Sequence, residues 1–276
     1  MGWNARLELT FRRDGERTVA HDRHEGPLRV LRSLYPEAAS ICHQVLVHPP
    51  GGIVGGDVLD VDAALGVGSH ALLTTPGAAR FYRSAGELAT QRLRARLAPG
   101  ARLEWLPLET IAHSGCRARN HVRFELAPGA EVIGWDILAL GLPASGEAFA
   151  RGSVEQQIEL PGRWLERGVI DGADMALLDS PLGLAGHRVL GTLWFAAGSE
   201  IVAARREAIV DAALEALSAS PLARQAGCSA PIDAAVVLRV LADRVEPAMQ
   251  LMAAVWARWR TAAWALAPCA PRVWRT

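Results

Sequence analysis

The sequence predicts a mainly β fold: layered antiparallel sheets of many short strands, with two long helices in the C-terminal third. Three observations carry this. From residue 1 to about 195 the chain is a series of short segments with period-two alternation, separated by turns containing Gly, Pro and Asp. The strands do not alternate with helices in that stretch, which argues for layered sheets rather than βαβ units. The last third changes to apolar residues at helical spacing. No linker or low-complexity segment interrupts the chain, so residues 1–276 are read as one domain.

The elements follow in order. "ARLELTFRR" alternates as a half-buried strand does, and "ICHQVLVH" is a second strand. "DVLDVDAAL" sets apolar against acidic residues and so has one wet face. "SHALLTT", "QRLRARL", "RLEWLPL", "HVRFEL", "EVIGWDIL", "VEQQIEL" and "VLGTLWFA" continue the series. Turns begin near Pro76, Pro99, Pro128 and Pro161. The two "LAPGA" turns, at Leu97 and Leu126, each follow an alternating strand; they are either a repeat of hairpins or a coincidence. Residues 199–220 read as a helix with Ser199 as N-cap and Pro221 beyond its end. Val202, Ile209, Val210, Ala213, Leu214 and Leu217 are its apolar stripe. "PIDAAVVLRVLAD" reads as a buried strand, with a short helix as the alternative. A second helix follows, with Pro247 in its first turn and Met252, Val255, Trp256, Trp259 and Ala263 on one face.

Composition narrows the function. Half of the residues are hydrophobic, and 29 Lys and Arg balance 29 Asp and Glu. A neutral chain is a poor match for nucleic acid or an anionic membrane. A mean hydropathy of +0.14 fits a surface covered by a partner, or simply an Ala-rich composition. Cys42, Cys116, Cys228 and Cys269 are too sparse for a disulfide framework and wrongly spaced for a zinc knuckle. The N-terminus lacks the pattern of a secretory signal, and no apolar run approaches the ~20 residues that span a bilayer. A cytoplasmic protein with reduced thiols is expected.

Candidate chemistry is thin. "GGIVGGD" lacks the Lys and hydroxyl of a phosphate-binding loop. "GVGSHA" matches a loose dinucleotide pattern, with no helix after it to supply a dipole. Ser145 in "PASGE" lacks the strand–turn–helix setting of a nucleophile. Cys42 and His43 are adjacent on a strand and point to opposite faces. Cys42, His43, His48 and Asp57 lie in one strand–loop unit, and their donors suit a borderline metal such as nickel, without the spacing of a closed site. The acids Asp57, Glu109, Asp136, Glu147 and Glu166 occupy turn-like or loop settings. They either brace turns, line a polar channel, or supply a carboxylate pair for hydrolysis. "RFYRS", residues 80–84, is either a binding hot spot or an internal cation–π or ion pair.

"GPLRV", "YPE", "ICHQVLVHPPGGIVGGD", "LLTTPGA", "FYRS", "LEWLPLETI", "GWDILALGLPASGE", "LERG" and the tail "PRVWRT" occur in this order over nearly the whole chain. Together they resemble the urease accessory protein D family (UreD, also called UreH). The resemblance implies a mostly β fold with a pair of helices and no catalytic activity. It implies a helical accessory protein (UreF), a nickel-carrying GTPase (UreG) bound through it, and apo-urease as partners. It implies no tightly bound cofactor and a transient passage of Ni²⁺ along an internal polar path. Carried onto matching positions, that path is Asp57, Asp136, Glu147 and Glu166, with His48 and Cys42 as further ligands. Tyr82, Arg83, Glu109, Trp256 and Trp259 are then partner-binding or structural positions. The chain departs from the family pattern at Ala79-Arg80, Leu108, Leu142, His113 and Cys116, of which His113 and Cys116 are possible added ligands. Two other readings stay open: a β-rich hydrolase pairing Asp57 with Glu109 or Glu147, and an adaptor with no ion path.

Overall fold

The computed structural model describes residues 2–142 and 145–275. The first half comprises β1 (Asn4–Asp14), β2 (Arg17–Glu25), β3 (Arg29–Val30), β4 (Ile41–Val47), β5 (Val58–Leu65), β6 (His70–Thr74), β7 (Ala79–Phe81), β8 (Ala89–Leu97) and β9 (Arg102–Leu106). Then come β10 (Thr110–Ala112), β11 (Arg117–Leu126), β12 (Glu131–Leu140), β13 (Ser153–Leu160), β14 (Trp164–Asp171) and the short helix α1 (Met175–Asp179). The last third holds β15 (Val189–Ala197), α2 (Ala203–Ser218), β16 (Ala226–Ile232), β17 (Ala235–Ala242) and α3 (Val245–Trp264).

The strands form two layers. A front sheet has the order β14-β13-β11-β8-β5-β1-β2, and a back sheet the order β16-β17-β15-β12-β9-β6-β4-β3. The expected mainly β fold with two long C-terminal helices is what the chain adopts. The direction of pairing departs from expectation. At the centre of the front sheet β1, β5, β8, β11 and β13 are parallel neighbours. In the back sheet β4, β6, β9 and β12 are parallel neighbours. Antiparallel pairs flank them: β1 with β2, β13 with β14, and the run β12-β15-β17-β16.

The reason lies in the turns. From β4 to β13 the chain crosses from one layer to the other at each of the main turns and returns one strand further along, as a flattened coil. A strand in the opposite sheet thus serves as the crossover that a parallel pair requires. Alternation reports one wet and one dry face, and it is silent about the direction of the neighbour. The "LAPGA" turns are a structural repeat, but of arches between sheets rather than hairpins. Residues 66–69, 98–101 and 127–130 stack: Ala98 N–H donates to Leu65 O and Ala127 N–H to Leu97 O, both at 2.9 Å. "GVGSHA" is the first of these arches and leads into β6, so it meets no helix N-terminus.

Two cores result. Between the sheets lie Leu7, Leu9 and Phe11 of β1, Leu93 and Leu97 of β8, and Phe124 of β11, among others. Behind the back sheet, Ile133, Trp135 and Ile137 of β12 meet Ile209 of α2 and Met252, Val255 and Trp259 of α3. The back sheet is covered on both faces there, and all ten residues of β12 are buried. The outer face of the front sheet is wet. It carries cross-strand ion pairs such as Arg92–Asp60 at 2.6 Å, Arg94–Asp62 at 2.9 Å and Arg119–Glu155 at 2.8 Å.

Helix α2 starts at Ala203 with Val202 at its N-cap and no side-chain cap; Ser199 instead accepts from Gly129 N–H at 3.1 Å. Its buried stripe is Ile209, Ala213, Ala216 and Leu217, while Val202 and Leu214 are exposed. Helix α3 has Pro247 in its first turn and ends at Ala265 in the left-handed region. Among the described residues no helix is long and apolar enough to cross a membrane.

Candidate functional site

The loop of residues 48–57 connects β4 to β5 and is braced throughout. Ile53 N–H donates to Arg80 O at 2.7 Å and Tyr82 N–H to Ile53 O at 2.9 Å, which ties "HPPGGIVGGD" to "FYRS". The Tyr82 ring occupies the space that a Cβ on Gly52 would fill. Gly56 has φ of +91°, a region that L side chains rarely adopt. Asp57 closes the loop. It is buried; one carboxylate oxygen accepts from Trp3 N–H at 2.7 Å and the other from Val54 N–H at 2.9 Å. Both oxygens are therefore used on backbone amides, so Asp57 braces a turn.

His48 sits at the start of this loop and lines a cavity of about 280 Å³ between the two sheets, together with Thr75, Gln91, Trp105, Asn120 and Val122. Its Nε2 is buried without a hydrogen-bond partner. Burial lowers the pKa of His48, and the nearby Asp57 charge opposes the shift. The imidazole is thereby kept neutral, the form that binds metal. A larger groove of about 670 Å³ opens at the arch end of the sandwich, and none of the predicted site residues line it.

A polar stratum crosses the apolar interior beside that cavity. Strand parity places it. Gln91, Asn120 and Gln156 share the inward face of the front sheet with Leu93, Val122 and Ile158, and they are successive register partners. On the back sheet Asp136, Thr192 and Arg239 are likewise register partners and share the inward face with Leu138, Trp194 and Val237. The two rows meet at Asp136. Asn120 Nδ2 donates to one of its oxygens at 2.5 Å and Gln156 Nε2 to the other at 2.9 Å. Gln91 Nε2 lies 3.4 Å from Asn120 Oδ1 and extends the row to the cavity. Burial pushes the Asp136 carboxyl up to about 6, opposed by the two amide hydrogen bonds and helped by the charge of Glu166. Glu166, on β14, lies at the far rim. Both of its oxygens face Arg239, whose Nε lies 3.3 Å from Oε1 and whose Nη2 donates to Oε2.

Of the predicted path, then, the structure brings Asp136 and Glu166 into one stratum and puts His48 at the cavity that adjoins it. Glu147 is exposed beyond β12 and bridges Leu142 through its backbone; Pro143 and Ala144 of the same motif lie outside the described residues. Cys42 is buried on β4, and burial raises its pKa, so it is a core thiol. Cys116 is also buried, with its pKa raised to about 11 by burial, and the His113 ring lies 4.9 Å from that of Tyr82. Tyr82 and Arg83 are exposed on the surface. Glu109 is half-buried, and its carbonyl accepts from Ala79 N–H at 2.9 Å. Trp256 and Trp259 are 1% and 0% exposed and pack in the core behind the back sheet, as the structural alternative for these two positions requires. Among the described residues, no three His, Cys, Asp or Glu side chains form a metal-binding group.

Sequence reasoning missed a second polar assembly, behind the back sheet. Glu104, in the "LEWLP" motif, is fully buried there. It accepts from Trp256 Nε1 at 2.6 Å, lies 2.8 Å from His70 Nε2, and is 3.2 Å from Arg260 Nε. Arg260 continues to Glu37 at 2.8 Å, and Glu37 to His43 at 2.7 Å. The tail joins the same face: Trp274 Nε1 donates to Thr74 Oγ1 at 2.9 Å, and its ring packs 5.0 Å from that of Trp135. The three quoted motifs "LLTTPGA", "LEWLPLETI" and "PRVWRT" are thus one packed unit. The sequence signal was an acid, Glu104, set between Leu103 and Trp105.

Known proteins match this chain over its length. The model of a family described as UreD urease accessory protein matches residues 4–275. The urease accessory protein UreD of Leptothrix cholodnii is 63% identical over 278 residues, covering all of both chains. That of Variovorax paradoxus is 57% identical over 276 residues, again covering all of both, and that of Paracidovorax citrulli 56% over 274 residues, covering 99% of each.

Proposed function

The chain belongs to the UreD urease accessory protein family, and from that premise we propose that it is a non-catalytic, cytoplasmic scaffold of urease maturation that conducts nickel. In this reading it docks on apo-urease with the helical accessory protein UreF and, through it, the GTPase UreG. Ni²⁺ is cargo here. It passes from the cavity at His48, across Gln91 and Asn120, to Asp136 and out at Glu166.

One observation carries the reading. Asp136 is a carboxylate in the middle of the sandwich whose two side-chain hydrogen-bond partners are neutral amides. A buried charge is normally paired with a cation. Amide partners leave the carboxylate's charge uncompensated, and their own oxygens can turn toward an ion that arrives. Oxygen donors of this kind, scattered one by one, hold a borderline cation weakly, as a carrier that must release its ion requires. The exposed pair Tyr82 and Arg83, beside exposed Val54 and Trp3, offers an aromatic–arginine patch for a protein partner.

Urease maturation in cells expressing urease and its accessory proteins tests this. Asp136→Ala is expected to co-purify with UreF and urease as the native chain does, while urease activity falls several-fold. Unchanged activity would favour an adaptor with no ion path.

A further inference from the structure

We propose that Arg239 is a tethered surrogate cation that occupies the Glu166 carboxylate and so prevents the rim of the polar stratum from trapping the ion it releases. This deepens the conduit reading above and rests on it.

Arg239 shares the inward row with Thr192 and Asp136, yet it belongs to β17, near the edge of the back sheet. Glu166 belongs to β14, the edge strand of the front sheet, and has the inward parity of Trp164 and Ile170. The pair therefore bridges the two layers where the sandwich opens. It is half wet: side-chain exposure is 50% for Arg239 and 31% for Glu166. A guanidinium fits a carboxylate in a two-pronged manner, and this one faces both oxygens. Exposure lets it swing into solvent without leaving a buried charge behind. A divalent ion at Asp136 repels it, and Glu166 becomes free as the next oxygen donor. When the ion leaves, Arg239 returns and the site closes. Without Arg239, Glu166 and Asp136 form a resting pair of acids that retains the ion.

Titration of the purified full chain with Ni²⁺ tests this. Arg239→Met is expected to tighten the Kd about tenfold relative to the native chain, which corresponds to about 1.4 kcal/mol. Arg239→Lys, which keeps the charge, is expected to stay within about twofold. Adding Glu166→Gln to Arg239→Met should return the Kd to the native value. An equal Kd for the native chain and Arg239→Met would overturn the proposal, as would tightening that survives Glu166→Gln. The conduit reading fails separately: it falls if Asp136→Asn matures urease at the native level. If that variant is defective and Arg239→Met still binds as the native chain does, only the role of Arg239 falls.

Discussion

Glu104 and Asp136 are buried carboxylates on opposite faces of the same sheet, and they are kept there in opposite ways. Glu104 faces the helices and is surrounded by donors that carry charge or belong to rigid rings: His70, Trp256 and Arg260. Asp136 faces the other layer and receives two side-chain amides. The first arrangement fixes α3 and the tail to the back sheet. The second holds a carboxylate in place without neutralising it, beside a cavity. Burial alone therefore does not mark a functional acid; the charge of its partners separates the brace from the candidate carrier.

The largest effect expected from breaking this contrast is at Glu104. Glu104→Ala takes the carboxylate from His70 and Trp256 and leaves Glu37 as the one acid beside the buried Arg260, and about 3 kcal/mol of stability should be lost. Urea unfolding monitored by tryptophan fluorescence measures it, and a loss below about 1 kcal/mol would put Glu104 in the same class as a surface acid.

The next effect is pH-dependent and belongs to Asp136. Its folded pKa is raised to about 6 from an ordinary value of 3.8, so the folded state holds the proton more tightly than the unfolded state does. Its contribution is therefore most favourable below about pH 4, declines as pH rises toward 6, and levels off above that, a change of about 3 kcal/mol. Asp136→Asn should remove this slope, so the stability difference between variant and native chain grows between pH 4 and 6. A difference independent of pH would mean that the carboxyl is not desolvated.

Asp57 sharpens the comparison from a third side. Asp57→Ala strands the amides of Trp3 and Val54, and a loss of about 2 kcal/mol is expected in the same unfolding assay. The smallest effect is on the wet face. Arg94→Ala breaks the pair with Asp62 and should cost less than about 1 kcal/mol, because solvent screens it.

Much of the fold was legible. Period-two alternation located β1, β5, β8, β11 and β13, and the apolar run "EVIGWDIL" located β12. Strand direction was hidden, because the same four-residue turn serves a hairpin or an arch. Asp136 and Glu166 were legible as candidate acids from their motifs, but the turn-like or loop setting expected for both is corrected: Asp136 lies in the middle of β12 and Glu166 on β14. The partners of these acids were beyond reach. Asp57 is held by Trp3, 54 residues earlier, and Glu104 by Trp256, 152 residues later. The helical face of Trp256 and Trp259 was clear in the pattern, but periodicity could not say whether a sheet of the same chain or a partner covers it.

The most direct test of the central claim is the nickel content of urease matured alongside Asp136→Asn. Asparagine keeps the shape and removes the charge. With accessory complex and urease co-purifying in native amounts, the account predicts several-fold less nickel per urease active site at limiting nickel. Native nickel content under those conditions would contradict it.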